Sequence, residues 1–157
     1  GDGRGRGRRG RRDDEGDTES TLVTGTPGED RLDGTSGADR IFALQDDDRV
    51  NAGSGDDFIN AGDGTDRVNA GRGDDIVVAG EGNDRVDAGR GDDRVLGGAG
   101  DDRIAGRGGD DDLGGGDGND RISGGLGNDT ISGFLSLMAK EKGQLYIIRF
   151  QHQEPYQ

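Results

Sequence analysis

At 157 residues the chain has room for one domain, yet only 26% of it is hydrophobic, 35 positions are Gly and the net charge is -14, which excludes a conventional apolar core. The absence of Cys excludes disulfides and thiolate metal sites, and the single His152 cannot assemble a zinc centre. Any resident metal must therefore be held by oxygen, and no apolar run approaches the length of a membrane span.

Residues 1–24 open on Gly-Arg alternation (Arg4, Arg6, Arg8, Arg9, Arg11, Arg12) and then turn acidic (Asp13, Asp14, Glu15, Asp17, Glu19). This predicts a disordered, self-neutralising lead. With carboxylates following and no aromatic residue for bases to stack on, no nucleic-acid partner is expected. The basic start is not followed by the apolar stretch of a signal peptide, and an opening Gly in place of Met suits a fragment.

From Gly25 to Ser132 the chain repeats every nine residues through twelve units without insertion or deletion. With Gly25 as position one, position six is always Asp: Asp30, Asp39, Asp48, Asp57, Asp66, Asp75, Asp84, Asp93, Asp102, Asp111, Asp120 and Asp129. Position eight is always aliphatic, from Leu32 and Ile41 through Val50, Ile59 and Val68 to Ile122 and Ile131. Position four is Gly except at Asp46, and position one is Gly or Ala. A strict period of this kind is the mark of a solenoid.

The unit reads G-G-x-G-x-D-x-U-x, as at Gly53, Gly55 and Asp57, or Gly98, Gly100 and Asp102. It resembles the haemolysin-type calcium-binding nonapeptide of the RTX (repeats-in-toxin) family, over about two thirds of the chain. The resemblance implies an all-β fold, a right-handed parallel β-roll with two units per coil and about six coils. It also implies several Ca2+ ions between successive turns of one edge, held by the twelve aspartates and by loop carbonyls at positions two and four. Here those are Gly53 and Gly55, Gly62 and Gly64, Gly71 and Gly73, Gly80 and Gly82, Gly89 and Gly91, Gly98 and Gly100, Gly116 and Gly118, and Gly125 and Gly127.

Elementary chemistry agrees with that donor set. Glycine reaches positive φ without steric cost, so a Gly-rich turn can aim carbonyls at an ion that takes six to eight oxygens. Carboxylates stacked one strand spacing apart, about 4.8 Å, would repel by roughly 3.5 kcal/mol per neighbouring pair at an effective dielectric of about 20. Folding is therefore expected to need the cation. Four turns depart from the pattern, with Thr26, Thr35, Leu44 with Asp46, and Arg107, and read first as tolerated variation at the ends and one seam, with weakened or empty sites as the alternative.

Alternation along each strand turns positions seven and nine outward. Position seven of the odd units is Arg31, Arg49, Arg67, Arg85, Arg103 and Arg121. This column reads first as internal charge balance against Asp33, Asp87 and the acidic edges, with an anion-binding strip as the alternative. The even units put Phe42, Phe58, Ile76, Val78 and Leu96 outward, an apolar face suited to a protein partner. Residues 133–157 leave the register, and Phe134, Leu135, Leu137 and Met138 followed by Leu145, Tyr146, Ile147, Ile148 and Phe150 predict a cap of one short helix and one strand, or part of an export signal.

No H-E-x-x-H, G-x-S-x-G or P-loop is present, so no enzyme is expected. The family implies an extracellular location reached by type I secretion, and millimolar Ca2+ outside the cell suits sites of this kind. A calcium-stiffened surface-layer or adhesion spacer, and a non-catalytic piece of a secreted protease, lipase or toxin, are the alternatives.

Overall fold

The computed structural model describes residues 20–133, 135–141 and 144–150. Two sheets are built from alternate strands of the chain. The first contains β1 (Thr21–Thr24), β3 (Asp39–Phe42), β5 (Phe58–Asn60), β7 (Ile76–Glu81), β9 (Arg94–Ala99), β11 (Asp112–Asp117) and β13 (Thr130–Ser132), in that order and all parallel. The second contains β2 (Arg31–Asp33), β4 (Arg49–Asn51), β6 (Arg67–Arg72), β8 (Arg85–Arg90), β10 (Arg103–Gly108) and β12 (Arg121–Leu126), again parallel. Partners such as Arg67 and Arg85, or Ile59 and Val77, lie eighteen residues apart, so one coil is two nonapeptides. The chain is a parallel β-roll of about six coils, as expected.

The core is narrow and periodic. Position eight points inward throughout, with Ile41, Ile59 and Leu113 fully buried, while Val23, Leu32 and Ile131 at the ends are half-buried. A second inward column was not foreseen. Ala43, Ala52, Ala61, Ala70, Ala79 and Ala88 at position one are also fully buried, because alternation along the strand carries positions six, eight and one to the same side. The restriction of position one to Gly or Ala thus has a packing cause: a β-carbon at Gly97, Gly106 or Gly115 already meets Oδ2 of the same unit's aspartate.

Both ends differ from the expectation. Strand β1 lies inside the stretch read as a disordered lead. It is a degenerate preceding unit in the same register, with Thr21 where the other units carry Asp and Val23 joining the core. The lead upstream of residue 20 lies outside the described residues. At the other end, the expected helix is a strand. β14 (Leu135–Glu141) and β15 (Gln144–Phe150) form an antiparallel hairpin, and β15 pairs antiparallel with β12. An open strand edge offers unpaired N–H and C=O groups, which another strand satisfies and a helix does not.

Candidate metal centre

Each turn is held by its aspartate. The position-six side chain faces inward, and Asp39, Asp48, Asp57, Asp66, Asp75, Asp84, Asp93, Asp102, Asp111 and Asp120 are all buried, while Asp30 and Asp129 at the ends are half-buried. One carboxylate oxygen ties neighbouring coils together. Oδ1 of Asp57 accepts the main-chain N–H of Asp39 at 2.7 Å, Oδ1 of Asp84 that of Asp66 at 2.8 Å, and Oδ1 of Asp111 that of Asp93 at 2.9 Å.

The other oxygen has no donor. Oδ2 of Asp48, Asp57, Asp66, Asp75, Asp84, Asp93, Asp102 and Asp111 is buried without a hydrogen-bond partner. A buried oxygen anion left unpaired is costly, and eight in two rows require a reason. Desolvation raises these carboxyls from the ordinary 3.8 to about 7 at Asp57, Asp66, Asp93 and Asp102, and to about 6 at Asp75, Asp84 and Asp111. The main-chain hydrogen bond opposes that rise, and the aspartates of adjoining turns add to it for most of the set.

Main-chain oxygens stand nearby. Beside Gly97, Oδ2 of Asp102 and the carbonyl of Gly115, one coil on, each lie 2.6 Å from the point a β-carbon would occupy. Among the described residues no three carboxylate or imidazole side chains converge on one point. The available donors are therefore single carboxylates from neighbouring turns together with carbonyls, a hard all-oxygen set that suits Ca2+ and not zinc. Position-two carbonyls are partly engaged, since Gly53 and Gly62 accept the N–H groups of Arg72 and Glu81 at 3.0 Å; a carbonyl keeps a second lone pair.

The glycines behave as the donor geometry demands. Gly71 and Gly89 have φ of 109° and 106°, and a β-carbon on Gly89 would run into the carbonyl of Gly71 beneath it. Positions two and four thus favour glycine, which takes the left-handed backbone without strain and leaves room for the carbonyl of the coil before.

The four irregular turns fall into two kinds. Thr26 and Thr35 cap their own aspartates: the Thr35 N–H donates to Oδ2 of Asp39 at 2.6 Å, and its hydroxyl lies 3.0 and 3.1 Å from the two carboxylate oxygens. Thr26 repeats this on Asp30. In these two turns protein donors stand where the eight turns from Asp48 to Asp111 leave a bare oxygen. Leu44, Asp46 and Arg107, by contrast, adopt φ of 89°, 78° and 83°, and Asp48 and Asp111 keep their unpartnered oxygens. These turns hold the common geometry at the expense of backbone strain.

One column escaped the sequence reading. Position five is Asp or Asn in nine of the twelve units, and these side chains form an outer ladder. Oδ1 of Asp56 accepts the N–H of Asp74, Oδ1 of Asp74 that of Asp92, and Oδ1 of Asp92 that of Asp110, each at 2.8 Å. The enrichment in Asp and Asn was the available signal, since short carbonyl-bearing side chains bond turn backbone.

The RTX calcium-binding nonapeptide repeat matches the chain at residues 24–59, 43–77, 60–95, 78–113, 87–121 and 114–134. No similar sequence was found among curated proteins. Taken with a parallel roll whose turns each present an inward aspartate, matches running from residue 24 to residue 134 show that this chain belongs to the RTX calcium-binding repeat family.

Proposed function

We propose that the chain is an extracellular folding module that becomes a rigid roll when Ca2+ enters its turns. The observation that carries this is the set of eight buried, unpartnered Oδ2 atoms from Asp48 to Asp111. The ions belong to the turns of those eight aspartates, with neighbouring carbonyls completing each shell, whereas Thr26 and Thr35 make the first two turns independent of metal. Asp120 and Asp129 with Gly116, Gly118, Gly125 and Gly127 complete the last two sites. The role is structural and not catalytic. The roll is part of a secreted protein exported unfolded by a type I route and folded outside, where Ca2+ is abundant. Calcium titration followed together by calorimetry and circular dichroism tests the reading; a far-ultraviolet spectrum unchanged by millimolar Ca2+ would end it.

A second reading, a calcium-stiffened spacer that docks another protein, draws on the apolar face. Phe42 and Phe58 pack as a tilted pair with ring centroids 5.9 Å apart, and beyond them Ile76 and Leu96 are 42% and 52% exposed on the same sheet as Val78. Phe58→Asp should abolish any Ca2+-dependent self-association or pull-down while leaving the Ca2+-bound spectrum intact. Equal association by the variant removes the docking role.

A further inference from the structure

We propose that the outer face of the sheet running from β2 to β12 binds a linear acidic polysaccharide, laid along the roll on its column of six arginines. The parallel register places Arg31, Arg49, Arg67, Arg85, Arg103 and Arg121 directly beside one another, one per coil at about 4.8 Å, and all six are exposed. Like charges opposite one another destabilise a sheet, so the alignment calls for compensating anions. No carboxylate of the roll closes on the arginines: among the described residues none of the six makes an ion pair or a side-chain hydrogen bond, although Glu29, Asp47 and Asp101 line the same hollows. Of the carboxylates expected to balance the column alongside the acidic edges, Asp87 and Asp33 have other partners. Asp87 takes a two-nitrogen clasp from Arg107, at 2.7 and 3.0 Å, and Asp33 accepts from Asn51 at 3.5 Å.

The face is also grooved. Between the arginines and the position-nine column that holds Asn51 and Asn69 runs a depression of about 260 Å3, and a second of about 470 Å3 continues it from Arg85 and Asp87 to Arg121 and Ser123. A chain lying there meets guanidinium forks on one side, which match carboxylate or sulfate groups in two-point contacts, and on the other the Asn51 and Asn69 amides and the Ser123 hydroxyl, which match sugar hydroxyls, interrupted by the carboxylates of Asp33 and of Asp87, the latter held by Arg107. An extended polysaccharide with an anion on each sugar presents charges at nearly the interval of the coils. Every outward residue of this face at positions seven and nine is Arg, Asp, Asn, Ala or Ser, so nucleic-acid bases have no aromatic surface to stack on.

The test uses the full chain in saturating Ca2+, with a heparin oligosaccharide as probe and calorimetry as readout. Binding is expected to weaken steeply with added salt. R67Q/R85Q/R103Q should lose about tenfold or more in affinity with an unchanged circular dichroism spectrum, and R67K/R85K/R103K, which keeps the charge but not the fork, should fall between. R94Q, on the opposite sheet, should bind as the parent does. Equal affinity of the triple glutamine variant, or equal binding of a single-stranded oligothymidine, overturns the proposal. So does a lower melting temperature of the triple glutamine variant in Ca2+, which would make the column part of the roll's own charge balance. Because the column is assembled by the roll itself, loss of heparin binding alone leaves the calcium reading standing.

Discussion

Each position-six aspartate divides its labour between two oxygens, and its substitutions should separate the two tasks. In Asp84→Asn the side-chain carbonyl can still accept the Asp66 N–H that now meets Oδ1 at 2.8 Å, while the charge facing the interior is gone. The Ca2+ midpoint of folding is expected to rise roughly three- to tenfold for this variant, and the metal-free chain should show more β structure than the parent; a titration superimposable on the parent's contradicts the assignment of that oxygen to the ion. At Thr35 the sign is reversed. Thr35→Val removes the hydroxyl beside Asp39 and should cost about 1 to 2 kcal/mol in urea unfolding at saturating Ca2+ without changing the number of ions bound.

Proton binding follows from the same atoms. Folded carboxyls raised from 3.8 to about 6 or 7 bind protons more tightly than unfolded ones. Protonation therefore stabilises the metal-free roll fully below about pH 4, and that stabilisation disappears as pH rises through 6 to 7. Circular dichroism of the Ca2+-free chain should gain β signal on acidification across this window. Calcium affinity should fall over the same window, since proton and ion compete for one oxygen.

At the level of the element, the turn decides how far the ladder extends. The strands β2, β4 and β5, whose following turns contain Thr35 or stack on the Thr35 and Leu44 turns, are three residues long; from β6 to β12 they are six, because positions two and three of the next unit pair as well, the Arg107 turn included. Regular glycines make this possible by letting carbonyls of one coil lie against the α-carbons of the next. Gly89→Ala, which adds a methyl where the Gly71 carbonyl sits, should cost roughly 3 kcal/mol or more in urea unfolding. Leu44→Gly should do the opposite, relieving a φ of 89° for a gain of about 1 kcal/mol after the entropy lost by the more flexible unfolded chain. A destabilised Leu44→Gly would mean the exposed leucine makes a contact that outweighs its backbone.

For the whole molecule, stability is distributed along the coils and not gathered at a centre. Each coil contributes two aliphatic residues and, through most of its length, small position-one residues, so neighbours must stack before any one of them is stable. Turns capped by Thr26 and Thr35 at one end and the β14–β15 hairpin at the other place metal-independent structure at both ends of the row of unpartnered aspartates. Excess EGTA should therefore unfold the middle coils first, read by hydrogen exchange as early loss of protection from Val50 to Leu113 and later loss at Val23 and Leu32. Uniform exchange along the roll would argue against this order.

While the two-unit coil and the parallel sheets were implied by the family resemblance, the nine-residue period was enough to establish the inward aliphatic column and the aspartate in every turn, because a strict repeat forces equivalent residues into equivalent places. It also gave the membership of both outward columns. What the tertiary structure decided lay in the relation between coils: that Thr26 and Thr35 satisfy their own carboxylates while Leu44 and Arg107 bend into the common turn, that position five forms a second ladder, that position one is core, and that Asp87 answers Arg107 and not the arginine column. Those outcomes depend on which atoms of residues eighteen apart come within hydrogen-bonding distance, and a linear pattern carries spacing but not that geometry.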